Sequence, residues 1–232
     1  MSATLLPKRD AFAAAIDQTL LSPTAGPREG REWLAANAGK GFAALCVAPF
    51  LVPDAARALE GSTTRVCSVC GFPLGFAQTG AKADEARRLV AAGCAEVDMV
   101  VHIGALIEGD EGYVTEDIAA VVAAVRSESG GSGLVKVILE TGHLPAEAVG
   151  PATALAARAG AAFVKTSTGF GPRGASVEDV RAMRAAVGPA VGVKAAGGIR
   201  DLPAALSMLS AGADRIGTSA GLLLLEALDS GD

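Results

Sequence analysis

Eight short β-rich runs recur along the chain, separated by longer, mostly Ala-rich stretches. The runs span Ala15 to Leu20, Ala43 to Val47, Arg65 to Gly71, Glu96 to Ile103, Leu134 to Glu140, Ala162 to Ser167, Ala190 to Lys194 and Asp214 to Gly217. Most are continuously apolar rather than alternating, as strands buried on both faces of a parallel sheet are. Half of the residues are hydrophobic but only 4% are aromatic, so the core must be built from Ala, Val, Leu and Ile. The stretches between the runs carry helix signals. Ala83 to Ala92 has an apolar stripe and stops at Gly93, and Tyr113 to Val125 sets Ile118, Val121, Val122 and Val125 at helical spacing. Pro145 to Ala159 and Pro203 to Ala211 stop at Gly160 and Gly212, and Ser176, with Glu178 and Asp179 after it, reads as an N-cap. Eight βα units suit a closed barrel or an open doubly wound sheet, and nothing in the composition divides residues 1–232 into more than one domain. In either architecture the chemistry belongs at the C-terminal ends of the strands.

The formal net charge is -5 and the cations are scattered, so neither nucleic acid nor an acidic membrane surface is expected as a partner. No apolar stretch is long enough to span a membrane, and Met1 to Asp10 lacks an apolar signal core; a cytoplasmic location is expected by default. The four cysteines, Cys46, Cys67, Cys70 and Cys94, do not have the spacing of a secreted disulfide framework. Cys67-x-x-Cys70 falls inside a strand-like run, where side chains three apart point to opposite faces. We therefore read these thiols as reduced core residues.

Only six lysines are present, and three of them interrupt apolar runs: Lys136, Lys165 and Lys194, each separated from the next by 29 residues, about one βα unit. Lys8, Lys40 and Lys82 lie in polar or loop-like contexts. The same cation thus recurs on three successive strands, which places the three in register at strand ends. Burying an unpaired ammonium is costly, so each is either a structural lysine paired with a carboxylate, from among Asp17, Asp98 and Glu140, or part of an amine-catalysis site. A free lysine, with a pKa of about 10.4, is almost wholly protonated at neutral pH; lowering it by about 3 units costs about 4 kcal/mol. A second ammonium nearby and partial desolvation both act in that direction. The chemistry alone does not say which lysine is the nucleophile.

Glu96-Val97-Asp98 puts two acids in or beside an apolar strand, with Asp98 the deeper, either to neutralise a lysine or to move protons. Glycine-rich turns follow the last three strands: Gly169-Phe170-Gly171, Gly197-Gly198, and Gly217-Thr218-Ser219. Backbone N–H groups in such turns cradle phosphate, and barrels often build a phosphate site after strands seven and eight. A phosphorylated substrate is therefore expected. The two histidines, His102 and His143, are too isolated for a metal site, and His102 reads as a hydrogen-bonded rim residue.

From Ile16 to Leu224 the chain resembles the deoxyribose-phosphate aldolases. The matching stretches are Ile16-Asp17-Gln18-Thr19-Leu20-Leu21, Leu45-Cys46-Val47-Ala48-Pro49, Gly71-Phe72-Pro73-Leu74-Gly75, Glu96-Val97-Asp98-Met99-Val100, Lys136-Val137-Ile138-Leu139-Glu140-Thr141, Phe163-Val164-Lys165-Thr166-Ser167-Thr168-Gly169 and Val193-Lys194-Ala195-Ala196-Gly197-Gly198-Ile199-Arg200. The resemblance implies an α/β fold, a (β/α)8 TIM barrel with a short extra N-terminal helix. It implies a class I aldolase that cleaves 2-deoxy-D-ribose 5-phosphate reversibly to glyceraldehyde 3-phosphate and acetaldehyde in deoxyribonucleoside catabolism, with no metal or organic cofactor. It makes Lys165 the Schiff-base lysine, Lys194 the lysine that tunes it and Asp98 the acid/base partner. Lys136, Thr19, Cys46 and Thr166 would contact substrate; Gly169, Gly197, Gly198 and Ser219 would hold phosphate. A homodimer or larger homo-oligomer is expected from resemblance only. Gln18 stands where many members carry His, His102 where many carry Asn, and the last residues, Leu225 to Asp232, include no terminal tyrosine of the kind some members use in proton transfer. A phosphosugar isomerase or epimerase barrel, or a barrel that only binds sugar phosphate, are the alternatives.

Overall fold

The computed structural model describes residues 7–230, so residues 1–6 of the segment read for a targeting signal, and Gly231 and Asp232 at the other end, lie outside the described residues. Eight strands, β1 (Ile16–Leu20), β2 (Ala44–Val47), β3 (Arg65–Cys70), β4 (Glu96–Val100), β5 (Leu134–Ile138), β6 (Phe163–Lys165), β7 (Gly192–Ala196) and β8 (Arg215–Thr218), pair in parallel in chain order and close β8 onto β1. The choice the sequence left open is thereby settled for a closed (β/α)8 barrel. Ten α-helices accompany the strands among the described residues: α1 (Arg9–Ala13), α2 (Pro27–Asn37), α3 (Val52–Ala58), α4 (Thr79–Ala91), α5 (Ile103–Glu108), α6 (Glu111–Glu128), α7 (Ala146–Arg158), α8 (Val177–Val187), α9 (Leu202–Ser210) and α10 (Gly221–Ser230). The first is the short extra N-terminal helix. None of them is long and apolar enough to cross a membrane.

Two apolar regions form, and they are unequal. The large one lies between the sheet and the helices and holds most of the buried Val, Leu, Ile and Ala. The small one comprises Ala44, Cys46, Cys67 and Val69, with Leu21 and Phe72 against it. Barrel interiors are ordinarily filled by branched apolar side chains. Here Asp17, Asp98, Lys136 and Lys194 are fully buried, and Glu96 and Lys165 nearly so.

Strand ends depart from the sequence reading where polar side chains take over backbone partners. The fourth run stops at Val100 instead of Ile103, because His102 Nδ1 accepts from the Ala105 amide at 3.1 Å and caps α5. The sixth stops at Lys165 instead of Ser167, and Thr166 Oγ1 bridges to the Ala196 backbone instead. The seventh runs two residues further, to Ala196, which pairs with Gly217. Ser176 caps α8 as read, accepting from Asp179 N. All four cysteines are free and buried, and Cys67 and Cys70 do point apart: one thiol meets Asp98, the other the Lys82 carbonyl on α4.

Lys82 overturns the sequence reading. It is not in a loop but inside α4, on the inward stripe with Ala86 and Leu89, and is fully buried. Its ammonium donates to Asp117 Oδ2 of α6 at 2.7 Å and to the Val100 carbonyl at the end of β4 at 3.0 Å. Thr79 donates to the other Asp117 oxygen. Removing one partner of a buried pair strands the other charge, at a cost of about 3–5 kcal/mol. Lys82→Met is therefore expected to lower the unfolding free energy by about that amount. Combining it with Asp117→Leu should restore most of the loss; urea unfolding of the three proteins measures both.

Candidate active site

The inward side chains of β1 and β4 to β8 meet in a single ion-pair network. Asp98 on β4 is its centre. Its Oδ2 accepts from Lys165 Nζ at 2.8 Å and from Lys194 Nζ at 2.7 Å, while Oδ1 accepts from Lys136 Nζ at 2.9 Å. Lys194 also meets Asp17 Oδ2 at 2.6 Å, and Lys136 meets Glu96 Oε2 at 2.6 Å and Asp17 Oδ2 at 3.3 Å. Asp17 Oδ2 and Glu96 Oε2 are engaged as ion-pair partners without aligned hydrogen bonds. Below them Arg215 donates to Asp17 Oδ1 at 2.6 Å, with its guanidinium over the Phe163 ring.

The register explains the arrangement and corrects one expectation. Lys165 and Lys194 are direct partners across β6 and β7, but Lys136 is in register with Phe163, two residues earlier. It therefore sits deeper than the other two. Of the three carboxylates expected as partners, Asp17 and Asp98 pair with lysine and Glu140 does not. Glu140 takes a left-handed backbone conformation (φ 51°) after β5, and its carboxylate accepts from the hydroxyl and amide of Thr168. Glu96 supplies the third acid.

Burial alone would push every charge here toward its neutral form. For Asp17 and Asp98 the surrounding ammonium groups overcome that push and hold both carboxyls well below the usual range. For Lys136 and Lys194 burial is likewise overcome, chiefly by Asp17 and Asp98, which hold both ammoniums above the ordinary lysine value. Lys194 is therefore a fixed cation sharing one oxygen with Lys165. Cys46, Cys67 and Asp98 bring ligand-type atoms together, as do Asp17, Cys67 and Glu96. The carboxylates in both sets are already matched to ammonium groups.

Above the network opens a cavity of about 300 Å³, at the small end of ligand pockets. Lys165 lines it; Lys136, Lys194 and Asp98 lie beneath. Thr19, Gly169, Gly197, Gly198 and Ser219 line it as well, so the three glycine turns converge on one wall. Gly169, Gly197 and Gly198 all have positive φ (91°, 88° and 78°), which turns the backbone of these loops toward the opening. Gly217 serves a different need: a Cβ there would lie 2.9 Å from Lys194 Cε, so its absence makes room for the lysine stem. Three expected substrate contacts are not at the cavity: Lys136, which lies beneath it, Cys46 and Thr166. Cys46 is buried beside Cys67, and the Thr166 hydroxyl is spent between β6 and β7. Gln18 ties β1 to the start of α10, accepting from Gly221 N at 2.9 Å and donating to Asn37. His102 is hydrogen-bonded as expected but does not line the cavity; it stacks edge-on against Tyr113. The sequence reading missed Thr168, Phe170 and Arg200 in the wall, and Arg215 in the network. Arg200 had a signal, a cation directly after the Gly197 turn; Arg215 had one in a charge opening an otherwise small and apolar strand.

A closed barrel with an amine at the cavity floor, flanked by a carboxylate and a second ammonium, is the equipment of an enzyme that uses lysine as a nucleophile. Residues 13–227 match the model of the DeoC/LacD family aldolases, and the chain belongs to that family. It is 48% identical over 217 residues to deoxyribose-phosphate aldolase 1 of Bacillus licheniformis, covering 94% of this chain and 96% of that protein. It is 48% identical over 215 residues to the deoxyribose-phosphate aldolase of a Thermoanaerobacter species, with 93% and 96% covered. Among solved structures, the tetrameric deoxyribose-phosphate aldolase of Aeropyrum pernix superposes with a TM-score of 0.87 at 33% identity, over 97% of this chain and 93% of that one. The protein is thus an aldolase, a carbon–carbon lyase.

The network also fixes how stability responds to pH. Asp17 and Asp98 have folded values below the unfolded one, so their contribution is complete above about pH 4 and is lost as the pH falls below it. Lys136 and Lys194 have folded values above the unfolded one, so theirs is complete below about pH 10 and is lost as the pH rises beyond it. Urea midpoints measured across pH should show a plateau between these limits, and Asp17→Asn should flatten the acid limb.

Proposed function

We propose that the protein cleaves 2-deoxy-D-ribose 5-phosphate reversibly to glyceraldehyde 3-phosphate and acetaldehyde, with Lys165 as the Schiff-base nucleophile. The observation that carries this reading is that Lys165, alone among the three inward lysines, lines the cavity, while sharing Asp98 Oδ2 with the fixed cation Lys194. The two relatives named for this reaction, each matched over nearly its whole length, support the choice of substrate.

The chemistry follows from the charges. Lys194 disfavours a second positive charge beside it, so Lys165 gives up a proton and its amine attacks the open-chain aldehyde. Loss of water leaves a protonated imine, which is an electron sink. As the C3 hydroxyl loses its proton, with Asp98 assisting through a water, the C2–C3 electron pair moves toward the iminium nitrogen. Glyceraldehyde 3-phosphate leaves, the enamine is protonated at carbon, and hydrolysis frees acetaldehyde and the lysine. Gly169, Gly197, Gly198 and Ser219 receive the phosphate through backbone N–H groups, beside the N-terminus of α10 and the cation of Arg200. Thr19 is the polar wall residue of β1 available to the sugar. The same reading makes residues 1–232 one domain, and puts the protein in the cytoplasm as a homodimer or larger homo-oligomer.

Two measurements test it. Borohydride added with acetaldehyde should leave an ethyl group on Lys165 and abolish activity; reduction that marks another lysine, or none in active enzyme, rejects the assignment. Lys194→Leu should move the pH–rate profile alkaline and lower kcat/KM at neutral pH by about tenfold or more, since an amine that titrates one pH unit higher is about ten times scarcer in its free form at pH 7.

A further inference from the structure

The buried network holds an odd number of charges. Lys136, Lys165, Lys194 and Arg215 face Asp17, Glu96 and Asp98, four cations to three anions when all are charged. Loss of one proton makes the cluster neutral. Arg215 does not give up a proton in proteins. Lys136 contacts three carboxylates and Lys194 two, whereas Lys165 contacts one and borders the cavity. Lys165 is thus the amine that the count leaves unmatched.

We propose that Arg215, at the opposite end of the network from the cavity, is a positioning residue whose fixed charge sets the pH at which the Lys165 amine becomes free to react. Arg215 opens β8, in register with Lys194, and its side chain is 18% exposed. Through Asp17 Oδ1 it holds the carboxylate whose other oxygen grips Lys194, and its second nitrogen lies 3.6 Å from Glu96. It touches neither the cavity nor Asp98, so it acts only through the chain of ion pairs. The groups around this chain come from every strand: Asp17, Cys46, Cys67, Glu96 and Asp98, Lys136, Phe163 and Lys165, and Lys194. Burial holds the Cys67 thiol up. The neighbouring Cys67 holds the thiol of Cys46 below its usual value, so Cys46 is the thiol whose proton the test must tell apart from that of Lys165.

The inference rests on Lys165 being the reacting amine, but its test needs no substrate. Competitive acetylation with acetic anhydride across pH, read at the Lys165 peptide by mass spectrometry, gives a reactivity curve, with the exposed Lys8 and Lys40 as internal references. Arg215→Met keeps an unbranched apolar stem and removes the guanidinium over Phe163 with its charge; its Lys165 curve should move alkaline by about one pH unit, the scale of one charge acting across a partly buried network. Arg215→Lys should return the curve toward wild type. Glu96→Gln removes an anion and should move it the other way, to lower pH. If Arg215→Met does not fold, the sign of the Glu96→Gln displacement decides. A folded Arg215→Met protein with an unmoved curve overturns the proposal, whether because Arg215 only props the barrel or because Cys46 yields the proton; so does a Glu96→Gln curve displaced to higher pH. A protein that obeys these displacements yet releases no acetaldehyde would count against the aldolase substrate and leave this inference standing.

Discussion

Three ammonium groups can occupy one barrel interior because a single carboxylate, Asp98, accepts from all of them. Each ion carried out of water loses several kcal/mol of hydration, and only close, well-directed contacts offset the loss. The remaining acids, Asp17 and Glu96, are placed to complete that offset for the two fully buried ammoniums, Lys136 and Lys194. Lys165 is left with the least. In the proposed mechanism, its role as nucleophile follows from the pairing that keeps its neighbours charged.

The fold separates this interior from the work of holding the chain together. Apolar burial is concentrated between the strands and the helices, where Val, Leu, Ile and Ala pack in one continuous layer. That layer supplies the favourable transfer free energy that the charged centre does not. Even there a polar tie appears at a useful point: Lys82 grips the carbonyl of Val100, two residues beyond Asp98 on the same strand. The end of β4 is thereby anchored from outside the barrel while its carboxylate is held from inside.

Much of this was legible in the amino-acid order. Continuous apolar runs separated by helical periods specify parallel strands, and lysines one βα unit apart specify neighbouring strands. Closure was legible only through the family resemblance, which implied the barrel, because a barrel and an open sheet share the same local pattern until β8 meets β1. The depth of Lys136 was hidden too: sequence spacing fixes which strand carries a residue, whereas depth follows from the stagger between strands. Glu140 looked like a lysine partner because it follows an apolar strand, but a left-handed turn redirects it toward Thr168. Lys82 was misread because its helix begins at Thr79, four residues before the stripe was taken to start. Thr166, read as a substrate contact, falls where β6 gives way to the loop, and its hydroxyl replaces a missing ladder bond.

The four buried thiols carry a consequence of their own. Cys46 and Cys67 lie in the small interior cluster, whereas Cys70 faces α4, its thiol on the Lys82 carbonyl, and Cys94 precedes β4. None is open to solvent in the folded chain. Chemical attack at each sulfur therefore waits on a local opening, and the openings differ: separating the outer helical layer exposes Cys70 without unlocking the charged centre that shields Cys67. The chain thus contains two native clocks, one for the breathing of its shell and one for the rupture of its core.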